Sequence, residues 1–248
     1  MESAGVFVTR TTWDDARVTA VTSTSAAEVL VVWGPATVTG DPDDLLRSAV
    51  ATYLEVDPVA VQTGRLCPRC AGTDHGRPVV LPAGGDRRPV VHVSLSRAAG
   101  RTVVAVTTAG PVGVDVEHVD AAGFDTFARV GLHRDEVADD APSRTRTWVR
   151  KESLVKATGD GLTVDLRDVQ VTAPAEAPGL VRWDARRTQL PPVQMVDLDV
   201  PNLPGRAPGA SGRPVADPLL ASLTVLAAQG LVVTTRLAGD LEDRDRTG

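Results

Sequence analysis

Short apolar runs and alternating apolar and polar positions recur along the chain and predict strands. The run AEVLVVW at 27–33 precedes the turn dipeptide GP and is typical of a buried strand. The same patterns predict further strands at 90–96, 102–108, 112–118, 168–173, 180–186, 193–199, 219–227 and 230–237. Strands therefore dominate the predicted secondary structure.

Three segments have signals of helices instead. GDPDDLLRSAVATYLEVDP predicts a helix that is N-capped by Asp41, a short helix is predicted near 123–131, and a longer one runs from Ser143 to Gly159. The order of one strand, one helix and then several strands occurs twice along the chain. This order predicts an α+β fold in two similar-sized halves, residues 1–108 and 109–248.

Composition excludes several classes of protein. The 248 residues carry a net charge of −6, which argues against binding nucleic acid through a basic surface. No apolar run approaches the roughly 18 residues of a membrane span, and the first residues lack the features of a signal peptide. Two cysteines offer no disulfide framework. We therefore expect a cytoplasmic protein that does not bind membranes.

Lysine is confined to one short segment. Of the 26 Lys and Arg residues, only Lys151 and Lys156 are lysines, both within WVRKESLVKATGDGL at 148–162. On a helix, Glu152 and Lys156 share one face. An ordinary surface ion pair is the alternative interpretation of these two residues. Arginine cannot replace a compact ammonium where a point charge is needed, which would explain why lysine is used in this segment.

Two carboxylates alternate with valines in VGVDVEHV. On a strand, Asp115 and Glu117 point to the same face, about 6.5–7 Å apart at Cα. Carboxylates held side by side repel each other unless a cation lies between them, and Mg²⁺ is a common partner. A solvent-exposed strand face is the alternative interpretation.

These motifs together resemble the Sfp-type 4′-phosphopantetheinyl transferases. GVDVE is followed by W-x-x-K-E-S-x-x-K, and HGRP (75–78), VSLSRAAG (93–100) and GDGL (159–162) are similar to further elements of that family, in the family's order. The resemblance implies a pseudo-dimer of two similar α+β halves with the active site in the cleft between them. It also implies a monomer that transfers phosphopantetheine from coenzyme A to a serine of an apo acyl or peptidyl carrier protein, releasing 3′,5′-ADP.

The resemblance assigns roles to the acidic strand and the lysine helix. Mg²⁺, or Mn²⁺ in its place, would be held by Asp115, Glu117 and Glu152. Asp115 is also assigned to the catalytic residues. Glu152 would also help to deprotonate the attacking serine, directly or through water. Lys156 would bind the diphosphate of coenzyme A and stabilise or protonate the departing phosphate.

The resemblance also predicts residues that contact coenzyme A. Ser96 and Arg77 would contact its phosphates, and Arg97 stands where the family usually has a histidine. Lys151 belongs to the motif and is assigned to coenzyme A as well.

Other interpretations stay open at this point. Cys67, Cys70 and His75, with His92 as a distant fourth ligand, would suit a zinc knuckle, which favours a non-catalytic protein–protein adaptor. A Mg²⁺-dependent phosphohydrolase would use similar carboxylates, with water as the nucleophile. The segment SRTRTWVRK (143–151) carries four basic residues and no acid, which would suit docking of an acidic carrier protein.

Overall fold

The structure is a computed structural model that describes residues 7–9, 26–36, 43–81, 89–201 and 218–242. The predicted N-cap Asp41 lies outside these residues. The strands are β1 (Phe7–Thr9), β2 (Ala27–Pro35), β3 (Thr63–Leu66), β4 (Arg77–Val80), β5 (His92–Ala98), β6 (Arg101–Thr107), β7 (Val112–His118), β8 (Val169–Val171), β9 (Leu180–Trp183), β10 (Val193–Leu198), β11 (Leu219–Leu226) and β12 (Leu231–Leu237). The helices are α1 (Asp44–Leu54), α2 (Phe127–Gly131), α3 (Ala141–Thr158) and α4 (Gly239–Glu242).

Two main sheets organise the molecule. The first has the strand order β1-β12-β2-β6-β5, and the second has the order β10-β11-β7. Two separate hairpins, β3–β4 and β8–β9, complete the strands of the described residues. Helices and sheets are mixed without the regular alternation of parallel α/β folds, and the predicted α+β class is confirmed.

Apolar side chains from both main sheets form the largest core cluster. Alternate residues of β2 and β6, such as Val31 and Ala105, share this cluster with residues of β7 and β11, such as Val114 and Leu223. The other face of β2 and β6 packs against α1, through Leu46 and Val50. Both faces of β2 are therefore covered, which confirms the buried strand predicted at 27–33.

The last strand returns to the first sheet. Strand β12 pairs in parallel with β2, with Leu231 opposite Ala27, although β2 belongs to the predicted N-terminal half and β12 to the C-terminal one. The predicted boundary at residue 108 does not separate the two main sheets along the chain. The division into two similar halves stays a prediction.

The long helix α3 begins before the predicted position. Its N-cap is Asp140, whose side chain accepts a hydrogen bond of 2.8 Å from the backbone N–H of Ser143, the residue predicted to cap it. Gly159 ends the helix as predicted, in the left-handed conformation at φ 77°. Strands β3 and β4 are not among the predicted strands, because four-residue strands with Gly, Pro and Arg give little periodic signal. None of the helices in the described ranges has the length and apolar character that a membrane span requires.

Candidate active site

Helix α3 lies directly on strand β7, and Gly113 makes this approach possible. A Cβ atom at Gly113 would lie 1.9 Å from the backbone oxygen of Ser153 and 2.5 Å from the backbone nitrogen of Ala157. Any larger residue would push the helix away from the strand. The close approach brings the lysine face of α3 over the carboxylate that follows on β7.

Lys156 and Asp115 meet at the centre of this contact. The Nζ of Lys156 donates hydrogen bonds to Asp115 Oδ1 at 2.6 Å, to Ser96 Oγ at 3.0 Å and to the backbone oxygen of Val114 at 3.2 Å. Asp115 is almost fully buried, whereas the side chain of Lys156 is 30% exposed. The ammonium therefore has one side in the protein and another that solvent can reach.

Ser96 joins the first sheet to this centre. It lies on the edge strand β5, and its hydroxyl donates to Asp115 Oδ1 at 2.8 Å while it accepts from Lys156. Two residues earlier, Ser94 Oγ accepts from the backbone N–H of Val114 at 3.0 Å. The serines of β5 thus attach the edge of the first sheet to β7. Because the Ser96 hydroxyl is buried and already bonded, its contact with coenzyme A stays a prediction.

Glu117 and Glu152 lie beside the Lys156–Asp115 pair. Burial, followed by repulsion from Asp115, raises the pKa of Glu117, and the Lys156 ammonium partly opposes this. Burial and then Asp115 raise the pKa of Glu152 as well, again with Lys156 opposing. Three carboxylates and one ammonium thus interact electrostatically, as the two sequence motifs predict.

The donor set fits a hard divalent cation. Asp115 Oδ2 is buried and has no hydrogen-bond partner among the described residues, which is unusual for a carboxylate oxygen. The three carboxylates are not a closed cage: in the described part of the chain, only Cys67, Cys70 and His75 bring three such ligand atoms within 4.8 Å of one another. Mg²⁺ typically takes one or two carboxylates together with substrate phosphates, so an open arrangement suits it.

A cavity of about 640 Å³ opens beside Lys156. Its walls come from the β3–β4 hairpin, the start of β5 and the end of α3. The arginines and the lysine that line it are Arg65, Arg69, Arg77 and Lys156, of which Arg65 is paired with Asp43 at 2.8 Å. The one acidic residue among its lining residues, Asp160, is paired with Arg186 at 2.6 Å. The cavity therefore favours a polyanionic ligand.

Arg77, predicted to contact a phosphate of coenzyme A, lies at the start of β4 and next to the C-terminal end of α3. A Cβ atom on Gly159 would lie 3.1 Å from its guanidinium, so the glycine leaves room for this side chain. Arg77 also lies close enough to His92 to influence its charge.

We expect His92 to make the stability of the protein depend on pH. Burial and then Arg77 lower the pKa of His92 in the folded protein. At pH values below about 6.5, the ordinary pKa of histidine, the unfolded chain therefore binds a proton at this residue more readily than the folded protein does. The stability that depends on neutral His92 is present above that value and is lost as the pH falls through the lowered pKa. Urea unfolding at a series of pH values should show a slope of at most about 1.4 kcal/mol per pH unit from this group. The variant His92→Gln should lose that part of the slope, and an unchanged pH dependence would contradict the assignment.

The structure corrects the role predicted for Lys151. Its side chain is fully buried, and Nζ donates to Glu136 Oε2 at 2.6 Å and to the backbone oxygens of Gly131 and Leu166 at 2.8 and 2.9 Å. These three acceptors enclose the ammonium, which has no exposed surface from which to contact coenzyme A, whereas the side chain of Lys156 is 30% exposed. Burial lowers the pKa of Lys151, with Glu136 opposing the shift. Lys151 is a structural residue that fixes α3 to the segments on either side of it.

Arg97 does not lie with the other predicted ligands. It is exposed, and the alternation of strand β5 directs its side chain to the face opposite that of Ser96. Leu95, on the same face of β5 as Arg97, lines the cavity, and the contact of Arg97 with a phosphate of coenzyme A stays a prediction.

The basic segment at 143–151 lies only partly at the surface, because Arg150 and Lys151 are buried, and its docking of an acidic carrier protein stays a prediction. Arg150 is buried and bonds to Asp197 and to the backbone oxygens of Ala173 and Glu176, and Arg146 pairs with the same aspartate at 3.1 Å. Arg144 donates to the backbone oxygens of Ala138 and Asp139. These side chains hold α3 in place. Their proximity in the sequence could not show which of the cations are exposed and which are buried.

Two contributions to the site carry little signal in the sequence. Glu136 stabilises Lys151 from a loop whose sequence has no periodicity. His92 is the first residue of β5 and lines the cavity. The glycine of the GVDVE motif was a visible signal, because a glycine inside a strand often marks a close approach of another backbone.

The fold and the site define an α+β protein with a lysine–carboxylate centre beside a basic cavity, a combination suited to phosphoryl chemistry. Residues 111–197 match the family model of the 4′-phosphopantetheinyl transferase superfamily. The matched residues include Asp115, Glu117, Glu152 and Lys156, whereas Arg77 and Ser96 precede them. No curated protein matches the chain.

Proposed function

We propose that this protein is an Sfp-type 4′-phosphopantetheinyl transferase that uses Mg²⁺ and modifies apo acyl or peptidyl carrier proteins. The observation that carries the proposal is the position of Lys156, which contacts Asp115 on one side and lines the basic cavity on the other. A monomeric state and a cytoplasmic location belong to the same proposal.

The cavity suits coenzyme A in size and charge. Its volume of about 640 Å³ lies within the range of small-molecule sites. Coenzyme A carries a diphosphate and a 3′-phosphate, and the arginines of the β3–β4 hairpin supply opposite charge along one wall. Arg77 and Lys156 are the two cations that we expect to contact the diphosphate.

The proposed reaction forms one phosphorus–oxygen bond and breaks another. The serine oxygen of the carrier attacks the phosphorus that bears the pantetheine arm, and the bond from that phosphorus to the bridging oxygen breaks. The serine proton leaves the hydroxyl, and 3′,5′-ADP departs with the bridging oxygen. Atoms and charge balance without a further reactant.

The side chains divide this work between them. Glu152 accepts the serine proton, directly or through water, and its raised pKa brings it closer to the operating pH than an ordinary glutamate. Lys156 donates to the departing phosphate from the side of the cavity. Asp115 holds Lys156 in place, and Asp115, Glu117 and Glu152 are the residues that would hold Mg²⁺. The bound cation would neutralise the diphosphate and stabilise the charge that develops on it.

Intact-mass analysis tests this proposal. The protein is incubated with coenzyme A, Mg²⁺ and a panel of apo carrier proteins, and each carrier is examined for the added phosphopantetheine. The matched control is the same carrier with its acceptor serine replaced by alanine, which should stay unmodified. Release of 3′,5′-ADP without any carrier would instead favour the phosphohydrolase, and no reaction with any carrier would reject the transferase.

We expect transfer to require a divalent cation. After removal of divalent cations the rate should fall by at least about a hundredfold, because the carboxylates and the diphosphate repel each other, and added Mg²⁺ or Mn²⁺ should restore it. The variant Asp115→Ala should not regain this rate at any Mg²⁺ concentration. Full activity in excess chelator would disprove the metal assignment.

A further inference from the structure

The turn of the β3–β4 hairpin gathers the two cysteines and one histidine. Cys67 directly follows β3, and His75 lies two residues before β4, in the sequence CPRCAGTDHG. The ligand atoms of Cys67, Cys70 and His75 all lie within 4.8 Å of one another. This cluster is separate from the carboxylates of the proposed transfer centre.

A backbone amide points at one of the two sulfur atoms. The N–H of Gly72 donates to the sulfur of Cys70 at 3.4 Å. The turn is closed by hydrogen bonds of 2.9 Å from Cys67 N to Gly72 O and from Ala71 N to Cys67 O. Such donors stabilise thiolates, the form of cysteine that binds metals.

The imidazole of His75 is oriented as a metal ligand requires. Its Nε2 lies 3.4 Å from the sulfur of Cys70, and its Nδ1 lies 2.7 Å from Asp74 Oδ1. A tetrahedral zinc with usual bond lengths would place nitrogen and sulfur about 3.6 Å apart. Histidines that bind metals usually donate their other ring N–H to a carboxylate, which is the part that Asp74 plays here.

We propose that Cys67, Cys70 and His75 bind one Zn²⁺ ion, with its fourth position open to water. Two thiolates and an imidazole favour zinc over Mg²⁺, which prefers oxygen ligands. The proposal does not depend on the transfer activity.

The zinc site would give the cavity one of its walls. Cys67, Arg69 and Arg77 all line the cavity, so the turn and the phosphate-facing arginines belong to one unit. Gly76 permits the tight return of the chain, since a Cβ atom there would lie 2.5 Å from the backbone nitrogen of Cys67. A metal that joins the two ends of this turn would hold Arg77 at the cavity.

Metal analysis of the full chain tests the proposal. The reduced protein is loaded with Zn²⁺ in the presence of excess Mg²⁺ and dialysed, and zinc is then measured. We expect about one zinc per chain in the wild type, less than about a tenth of that in Cys70→Ser and His75→Ala, and affinity lowered about 10–100-fold in Asp74→Asn. Asp115→Ala is the matched control, because it removes a carboxylate of the other site and should keep its zinc.

Cobalt provides a second measurement that does not depend on the folding of variants. Co²⁺ bound by the wild-type protein should show the charge-transfer absorption of thiolate ligands and the intense visible bands of tetrahedral coordination. Wild-type protein that retains no zinc and shows no thiolate–cobalt absorption would overturn the proposal. Zinc lost from Asp115→Ala but kept by Cys70→Ser would overturn it as well.

Discussion

Phosphopantetheine transfer should slow by about a hundredfold when Lys156 is replaced by arginine, although the charge is unchanged. The ammonium of Lys156 donates in three directions, to Asp115 Oδ1, Ser96 Oγ and the backbone oxygen of Val114. A planar guanidinium cannot reproduce these directions within the narrow space between α3 and β7. We expect coenzyme A to bind within a few-fold of its wild-type affinity, because the positive charge remains.

Single-turnover transfer to one apo carrier at saturating coenzyme A measures this effect without interference from product release. Arg167→Lys is a suitable control, because Arg167 is exposed and pairs only with the nearby Asp165 in the described structure. A Lys156→Arg variant that transfers at the wild-type rate would show that the catalytic role proposed for Lys156 is wrong.

Replacing the other lysine should damage the fold instead. Lys151→Met should lower the free energy of unfolding by about 3–5 kcal/mol, because it leaves the buried carboxylate of Glu136 without its partner. The backbone oxygens of Gly131 and Leu166 also lose the ammonium, although the oxygen of Leu166 still accepts from the N–H of Val169. Urea unfolding followed by circular dichroism measures the change, and the transfer rate per folded molecule should fall far less than in Lys156→Arg.

Arg146→Met provides the control on the same helix. Arg146 pairs with Asp197 near the surface, and Arg150 continues to bond to that aspartate, so we expect a loss below about 1 kcal/mol. Equal stability losses in the two variants would mean that burial does not distinguish Lys151 from the other cations of α3.

The sequence predicted the parts of the site that lie within single elements. Alternation along β7 placed Asp115 and Glu117 on one face, and helical spacing placed Glu152 and Lys156 together. The contact between the two elements could be expected only from the family resemblance, because no local pattern specifies which strand a helix covers.

The errors arose where burial depends on distant partners. Lys151 lies in the same motif as Lys156 and has the same chemistry, but Glu136 and the backbone oxygens that surround it come from other segments.

Strand β12 has a consequence for how the molecule folds. It lies between β1 and β2, and its pairing with β2 encloses every element from α1 to β11 in one loop. Such long-range pairing raises contact order and slows folding, because the entropy of closing the loop is lost before the contact forms. During synthesis β2 would leave the ribosome long before its parallel neighbour, with a buried apolar strand edge still open. The protein should therefore acquire its native sheet only late in translation, and until then this edge is where aggregation is expected to begin.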